Sequence, residues 1–168
     1  MHTAPFVDDN LLTAKSPNCP RGDKAQEEVM KSDFMAHLDR SNSELYDYLA
    51  KNSGRQIINI TDVNNLYDTL FIENKYNKSL PEWTQSVFPD KMKYLSDLSF
   101  TIATWTEELK RLRIGPFIQT IIDNSEKRLT DLKNASVSTA LTGDPKSDGS
   151  TRFYMYSGHD TTVSAVLN

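Results

Sequence analysis

The chain has 168 residues, room for one ordinary domain. Hydrophobic residues make up 38% and charged residues 25%, so a packed core can form, and a formal charge of −4 with no basic block argues against a nucleic-acid partner. No stretch approaches the roughly 18 apolar residues that cross a bilayer, and Met1–Asp9 has no basic region followed by an apolar run of the kind that opens a signal peptide. Either the protein is cytosolic or its true start lies upstream of this sequence.

Residues 1–22 are punctuated by Pro5, Pro17, Pro20 and Gly22 and read as an extended or looped lead-in. Residues 23–133 read as mainly helical. Asp23 with Gln26 three residues on makes a capping box, and Val29, Met30, Phe34, Leu38, Leu45 and Leu49 follow at helical spacing to Asn52-Ser53-Gly54. Ile57–Ile60 is a short apolar run, strand or connector. Thr61-Asp62 can cap a helix over 62–74 with Val63, Leu66, Tyr67, Leu70 and Phe71 on one face. Asn74–Pro81 is a turn-rich loop, and Leu80-Pro81-Glu82-Trp83 opens another ordered piece. The clearest helix is predicted from Pro89 to Arg113, with Met92, Leu95, Leu98, Ile102, Trp105, Leu109 and Leu112 at steps of three and four. Gly115-Pro116 breaks it, and Pro116 suits the first turn of the next helix, where its missing N–H has no partner to lose.

Residues 134–151 are small and polar, with Gly143, Pro145 and Gly149, and read as a surface loop. Arg152-Phe153-Tyr154-Met155-Tyr156 is the one convincing strand. It lacks polar alternation, so burial on both faces is expected, as in a parallel sheet. Thr161-Thr162 can cap a last helix from Val163. A doubly buried strand needs neighbours on both sides, and the rest of the sequence offers at most one weak candidate. The expected architecture is therefore α/β and helix-rich: a helical insert attached to one strand of a sheet whose other strands lie outside this sequence.

The chemistry gathers at the end of that strand, in residues 152–168. Ligands of open α/β sheets bind beyond the carboxyl ends of strands, and a following helix N-terminus favours an anion such as phosphate. His159 and Asp160 stand there, an imidazole able to donate a hydrogen bond and a carboxyl able to give up a proton, which suits phosphoryl or acyl transfer. The plainer reading has Asp160 capping the helix and His159 packed beside it. His2 and His37 are far off in sequence, and no cluster has metal-ligand spacing. No cofactor is implied.

The segment Tyr156-Ser157-Gly158-His159-Asp160-Thr161-Thr162-Val163 is similar to the signature of the histidine acid phosphatases of the prostatic, lysosomal and insect-venom kind. His2-Thr3-Ala4-Pro5, Asn18-Cys19-Pro20, Leu66–Leu70 and Asn77-Lys78-Ser79-Leu80-Pro81-Glu82-Trp83 resemble further elements of that family in order and spacing, so the likeness covers nearly the whole chain. It implies a histidine-phosphatase-like fold and hydrolysis of small-molecule or protein phosphate monoesters through a phosphohistidine. Carried over, Asp160 is the proton donor to the leaving alkoxide and His159 a phosphate ligand. The family's nucleophile lies in an Arg-His-Gly-x-Arg-x-Pro motif. None of Arg21, Arg40, Arg55, Arg111, Arg113, Arg128 and Arg152 stands in such a motif, so this chain carries the proton-donor half of the site only.

Cys19 is the only cysteine. By count it reads as a reduced intracellular thiol. The resemblance reverses that and implies a disulfide from Cys19 to a partner outside the chain, while Ile72 occupies the neighbourhood where the family usually has a second cysteine. Asn59, Asn77 and Asn134 begin sequons that permit glycosylation, in keeping with the secreted or lysosomal location the resemblance implies. A homodimer is compatible with the sequence, which does not fix the oligomeric state. Three readings stay open: the acid half of a working acid phosphatase, inactive by itself; a truncated or degenerate relative that binds ligands or partners without turnover; and an unrelated helical interaction module.

Overall fold

A computed structural model describes residues 5, 9, 11–13, 19–142 and 153–168, with side chains left aside at 135–142. The His2-Thr3-Ala4-Pro5 element apart from Pro5, Asn18, Arg152 and most of the expected lead-in and surface loops lie outside these residues.

The first helical region is three helices rather than one or two: α1 (Pro20–Met30), α2 (Asp33–Ser41) and α3 (Ser43–Ser53). Ser32 interrupts it by accepting from the Met35 N–H, and Asn42 by turning its amide back to the Leu38 carbonyl. Both side chains compete with the helix for its own backbone groups. Gly54 ends α3 in the left-handed conformation at φ 70°. The start of α1 corrects the expected cap at Asp23. The helix opens at Pro20, and Asp23 lies within its first turn. Ile57 and Ile60 are buried, and the run between them leads directly into α4 (Ile60–Lys75), which Asn59 caps by accepting from the Asp62 N–H.

The segment from 89 to 113 is also broken. It comprises α5 (Asp90–Ser99), a 3₁₀ turn at Ile102–Thr104 and α6 (Glu107–Arg113). Thr106 accepts from the Leu109 N–H and so starts a new helix where periodicity alone would continue the old one. Another 3₁₀ turn spans Glu82–Ser86, and the Phe88–Pro89 peptide is cis. From Gly115, α7 runs unbroken to Thr142. The first nine residues of the expected 134–151 loop are thus helical, since no glycine or proline intervenes before Gly143. Finally α8 spans Asp160–Leu167.

Among the described residues, two apolar clusters hold these helices. The larger joins α1–α6 through Met35, Leu49, Ile60, Val63, Met92 and Leu109, all essentially inaccessible. Its best-packed pair is α4 and α5, cross-tied by Ser96, which donates to Asn64 Oδ1 at 2.6 Å. The smaller consists of Ile114, Phe117 and Ala165, with Leu11, Leu12, Ile118 and Tyr156 packed on it. It seats α8 against the start of α7.

No strand occurs among the described residues. The expected strand at 152–156 is not seen among the described residues: 153–159 is irregular, and Phe153 and Met155 are 77% and 80% exposed where burial on both faces was expected. The physical reason is the one its composition foreshadows. A strand exists by pairing, and no described segment forms a strand with which it could pair.

Candidate active site

The site is built from Tyr156 onward. Tyr156 is half-buried. Its ring meets Phe117 edge-on, with centroids 4.9 Å apart and planes at 83°, and its phenol oxygen accepts from Asn124 Nδ2 at 2.6 Å. These contacts fasten the approach to the site onto α7. Gly158 then brings the backbone very close to α8. A β-carbon there would stand 3.0 Å from Thr162 Oγ1 and 3.1 Å from Thr162 Cβ, so glycine is required by close approach.

Thr162 is buried and donates its hydroxyl to the Leu12 carbonyl, binding α8 to the lead-in segment. Leu12 is itself held by Asp9, whose carboxylate accepts from the Leu12 N–H at 2.8 Å, the Leu11 N–H at 3.0 Å and the Thr13 hydroxyl at 3.1 Å. The Leu12 bond leads the causes that hold the Asp9 carboxyl below its ordinary value, with burial opposing it. On the other side, Ser164 donates to the Phe100 carbonyl at 3.3 Å.

His159 immediately precedes α8. Its backbone is extended, and its carbonyl accepts from the N–H groups of Thr162 at 3.0 Å and Val163 at 3.2 Å. Asp160 is the first residue of the helix and accepts from the Thr161 N–H at 2.7 Å. The expected cap at Thr161-Thr162 is therefore displaced: both threonines lie inside the helix, and the Thr162 hydroxyl is spent on Leu12. Both His159 and Asp160 side chains are exposed. His159 and Asp160 are thus consecutive residues, both exposed, at the positive end of a helix dipole. That arrangement can hold an oxyanion and hand a proton to a leaving group.

Sequence reasoning gave no role to Arg128 or Asn124. They lie one turn apart on α7 and line, with Ile121, Tyr154 and Tyr156, a groove of about 550 Å³ whose lining does not include His159 or Asp160. Their i, i+4 spacing was the available signal, but it indicates a shared face and not what that face meets. Among the described residues no group of three or more His, Cys, Asp or Glu gathers as a metal site, and no helix is long and apolar enough to cross a membrane. Of the sequon residues, Asn77 is exposed in a left-handed turn at φ 55°, Asn134 is exposed on α7 and Asn59 is half-buried in its cap. Cys19 is a free, half-buried thiol.

No family model matches the chain. It is 27% identical over 169 residues to rat lysosomal acid phosphatase, 28% over 170 residues to human prostatic acid phosphatase and 30% over 171 residues to rat prostatic acid phosphatase. Each alignment covers 99% of this chain but only 36–40% of the relative, so the chain spans well under half the length of these proteins. Along nearly its whole length the chain is thus similar to part of the lysosomal and prostatic acid phosphatases.

Proposed function

We propose that this chain supplies the acid half of an acid phosphatase site, with Asp160 as proton donor and His159 as phosphate ligand. The observation that carries the reading is the pair itself: an exposed imidazole and an exposed carboxyl adjacent at the N-terminus of α8, on a backbone fixed by Tyr156, Gly158 and Thr162. In this mechanism a histidine from an Arg-His-Gly-x-Arg-x-Pro segment, encoded outside these 168 residues, attacks phosphorus. His159 and the arginines of that segment hold the non-bridging oxygens. Asp160 protonates the departing alkoxide, which would otherwise leave poorly. Hydrolysis of the phosphohistidine releases phosphate. The substrates are small-molecule or protein phosphate monoesters.

In the same reading residues 152–156 become a strand of the central sheet. Its support is an aromatic and apolar run without polar alternation, whose exposed Phe153 and Met155 would be covered by neighbouring strands. The names of the relatives and the three sequons favour a lysosomal or secreted location.

Two measurements test the proposal. The coding sequence upstream of Met1 should carry Arg-His-Gly-x-Arg-x-Pro, and its absence there sinks the idea. The 168-residue chain by itself should release no 4-nitrophenol from 4-nitrophenyl phosphate at acid pH, whereas the whole enzyme should, and should lose that activity in Asp160→Asn. A second reading, a ligand-binding relative without turnover, draws on the missing nucleophile motif. It predicts phosphate binding that depends on His159 in a full-length protein that never hydrolyses the ester.

A further inference from the structure

Where α4 meets the start of α5, residues between Tyr67 and Lys93 line a groove of about 630 Å³. That is within the roughly 300–1,000 Å³ of small-ligand sites. Tyr67, Phe71 and Lys75 follow one another at intervals of four on α4 and so share a face. The Tyr67 and Phe71 rings are nearly parallel, with centroids 5.9 Å apart and planes at 20°, and the Phe88 ring stands 5.3 Å from Tyr67. Tyr67 and Phe88 are half-buried, whereas Phe71 keeps 40% of its surface exposed. These rings form an aromatic floor on the best-packed pair of helices, with one ring open to a ligand.

The charge around that floor has one sign. Lys75, Lys78 and Lys93 line the groove and are exposed, and no carboxylate lines it, in a chain whose formal charge is −4. Lys75 Nζ stands 5.3 Å from the Phe71 ring centroid, a cation over an aromatic face. Lys93 is paired with Asp97, one turn along α5, at 2.5 Å. Neither Lys75 nor Lys78 forms an ion pair among the described residues. Asn77, which begins a sequon between these two lysines, is not among the lining residues, so the groove does not compete with a glycan for the same atoms.

We propose that this groove is a binding site for a small aromatic anion, a flat ring system carrying an oxyanion such as a sulfonate, sulfate or phosphate group. The ring lies on the exposed face of Phe71, and the oxyanion is held by Lys75 and Lys78. Both halves of the ligand are needed. An inorganic anion meets only exposed lysines, whose attraction water and salt screen. A neutral aromatic covers the floor and leaves the two lysine charges unanswered. Nothing in this depends on the phosphatase reading, since His159 and Asp160 take no part in the lining.

The test titrates the whole, isotope-labelled chain with naphthalene-2-sulfonate, which no phosphatase can hydrolyse, and follows backbone amide shifts. Saturable binding with a dissociation constant below about 1 mM is expected, with the shifted amides confined to residues 67–93 and those of 156–162 unmoved. Neutral 2-naphthalenemethanol and inorganic sulfate should each bind about tenfold more weakly or not at all. Lys75→Met and Lys78→Met, which keep an apolar stem and remove the charge, should each weaken binding about threefold, while Lys110→Met on α6 should not change it. Phe71→Leu should weaken it further. The proposal is overturned if no saturable binding occurs, if the shifts centre elsewhere, if the neutral analogue binds as well as the sulfonate, or if folded Lys75 and Lys78 variants bind like wild type. The comparison of sulfonate with neutral analogue decides the matter on the native chain, whether or not the variants fold.

Discussion

Asn124 and Tyr156, thirty-two residues apart, meet in a 2.6 Å hydrogen bond from side-chain amide to phenol oxygen. That bond fixes the direction from which the chain enters His159. Tyr156→Phe removes the oxygen but keeps the ring on Phe117, so it should cost about 0.5–1.5 kcal/mol. Tyr156→Ala also removes the edge-on ring contact and should cost about 3–5 kcal/mol. Urea denaturation followed by circular dichroism separates the two. Equal losses would mean that the ring packing contributes nothing.

Gly158 sits where a methyl group would collide with the Thr162 side chain. Gly158→Ala should destabilise the chain by about 1–3 kcal/mol through overpacking. Since the collision involves Thr162 Cγ2 as well as Oγ1, adding Thr162→Ser should recover part of the loss while keeping the hydroxyl for Leu12. Thermal melting of the single and double variants checks this, and strictly additive losses would refute it.

The Asp9 carboxyl is held low chiefly by the Leu12 N–H, then by those of Leu11 and the Thr13 hydroxyl, against a desolvation that raises it. A carboxyl whose folded value lies below its unfolded one stabilises the fold at all pH above the unfolded value. That contribution disappears as pH falls through the depressed folded value. Wild type should therefore lose stability below about pH 4 more steeply than Asp9→Asn. Parallel stability profiles between pH 5 and 2 would show that the turn at Asp9 does not matter to the folded state.

Leu49 and Leu109 have no accessible surface, whereas Leu129 on α7 is 57% exposed. Leu49→Ala and Leu109→Ala should each cost about 2–5 kcal/mol. Leu129→Ala should stay within about 0.5 kcal/mol of wild type. Denaturation midpoints report the contrast directly.

The extent of helix was legible because the apolar spacing at Val63, Leu66 and Leu70, and at Met92, Leu95 and Leu109, is a local property that packing then exploits. The breaks were not legible in the same way. Ser32, Asn42 and Thr106 are ordinary polar residues in a periodic stretch until their side chains are seen bonding Met35, Leu38 and Leu109. Asp23 is the sharpest miss. It has the sequence of a cap, yet its carboxylate serves Arg113, ninety residues away, which no local pattern could reveal. At the candidate site, His159 and Asp160 were singled out by the signature alone, and the strand end that was to carry them is irregular. The aromatic run 152–156 encodes a pairing preference, and pairing is a property of two segments. Gly158 was readable as part of a motif, but its reason, the approach to Thr162, needed coordinates.

The two apolar clusters divide the molecule unevenly. The larger binds α1–α6, and the smaller, built on three buried residues, carries Tyr156 and the helix behind His159. Amide protons in 156–167 should therefore exchange through openings well below the global unfolding energy, while those around Leu49 and Leu109 wait for complete unfolding. The residues that carry the proposed chemistry would then come loose first. A neighbouring segment that docks on Phe153, Met155 and the face of α8 would act on the fold and the reaction alike, because the energy that seats it is the same energy that keeps His159 and Asp160 in register.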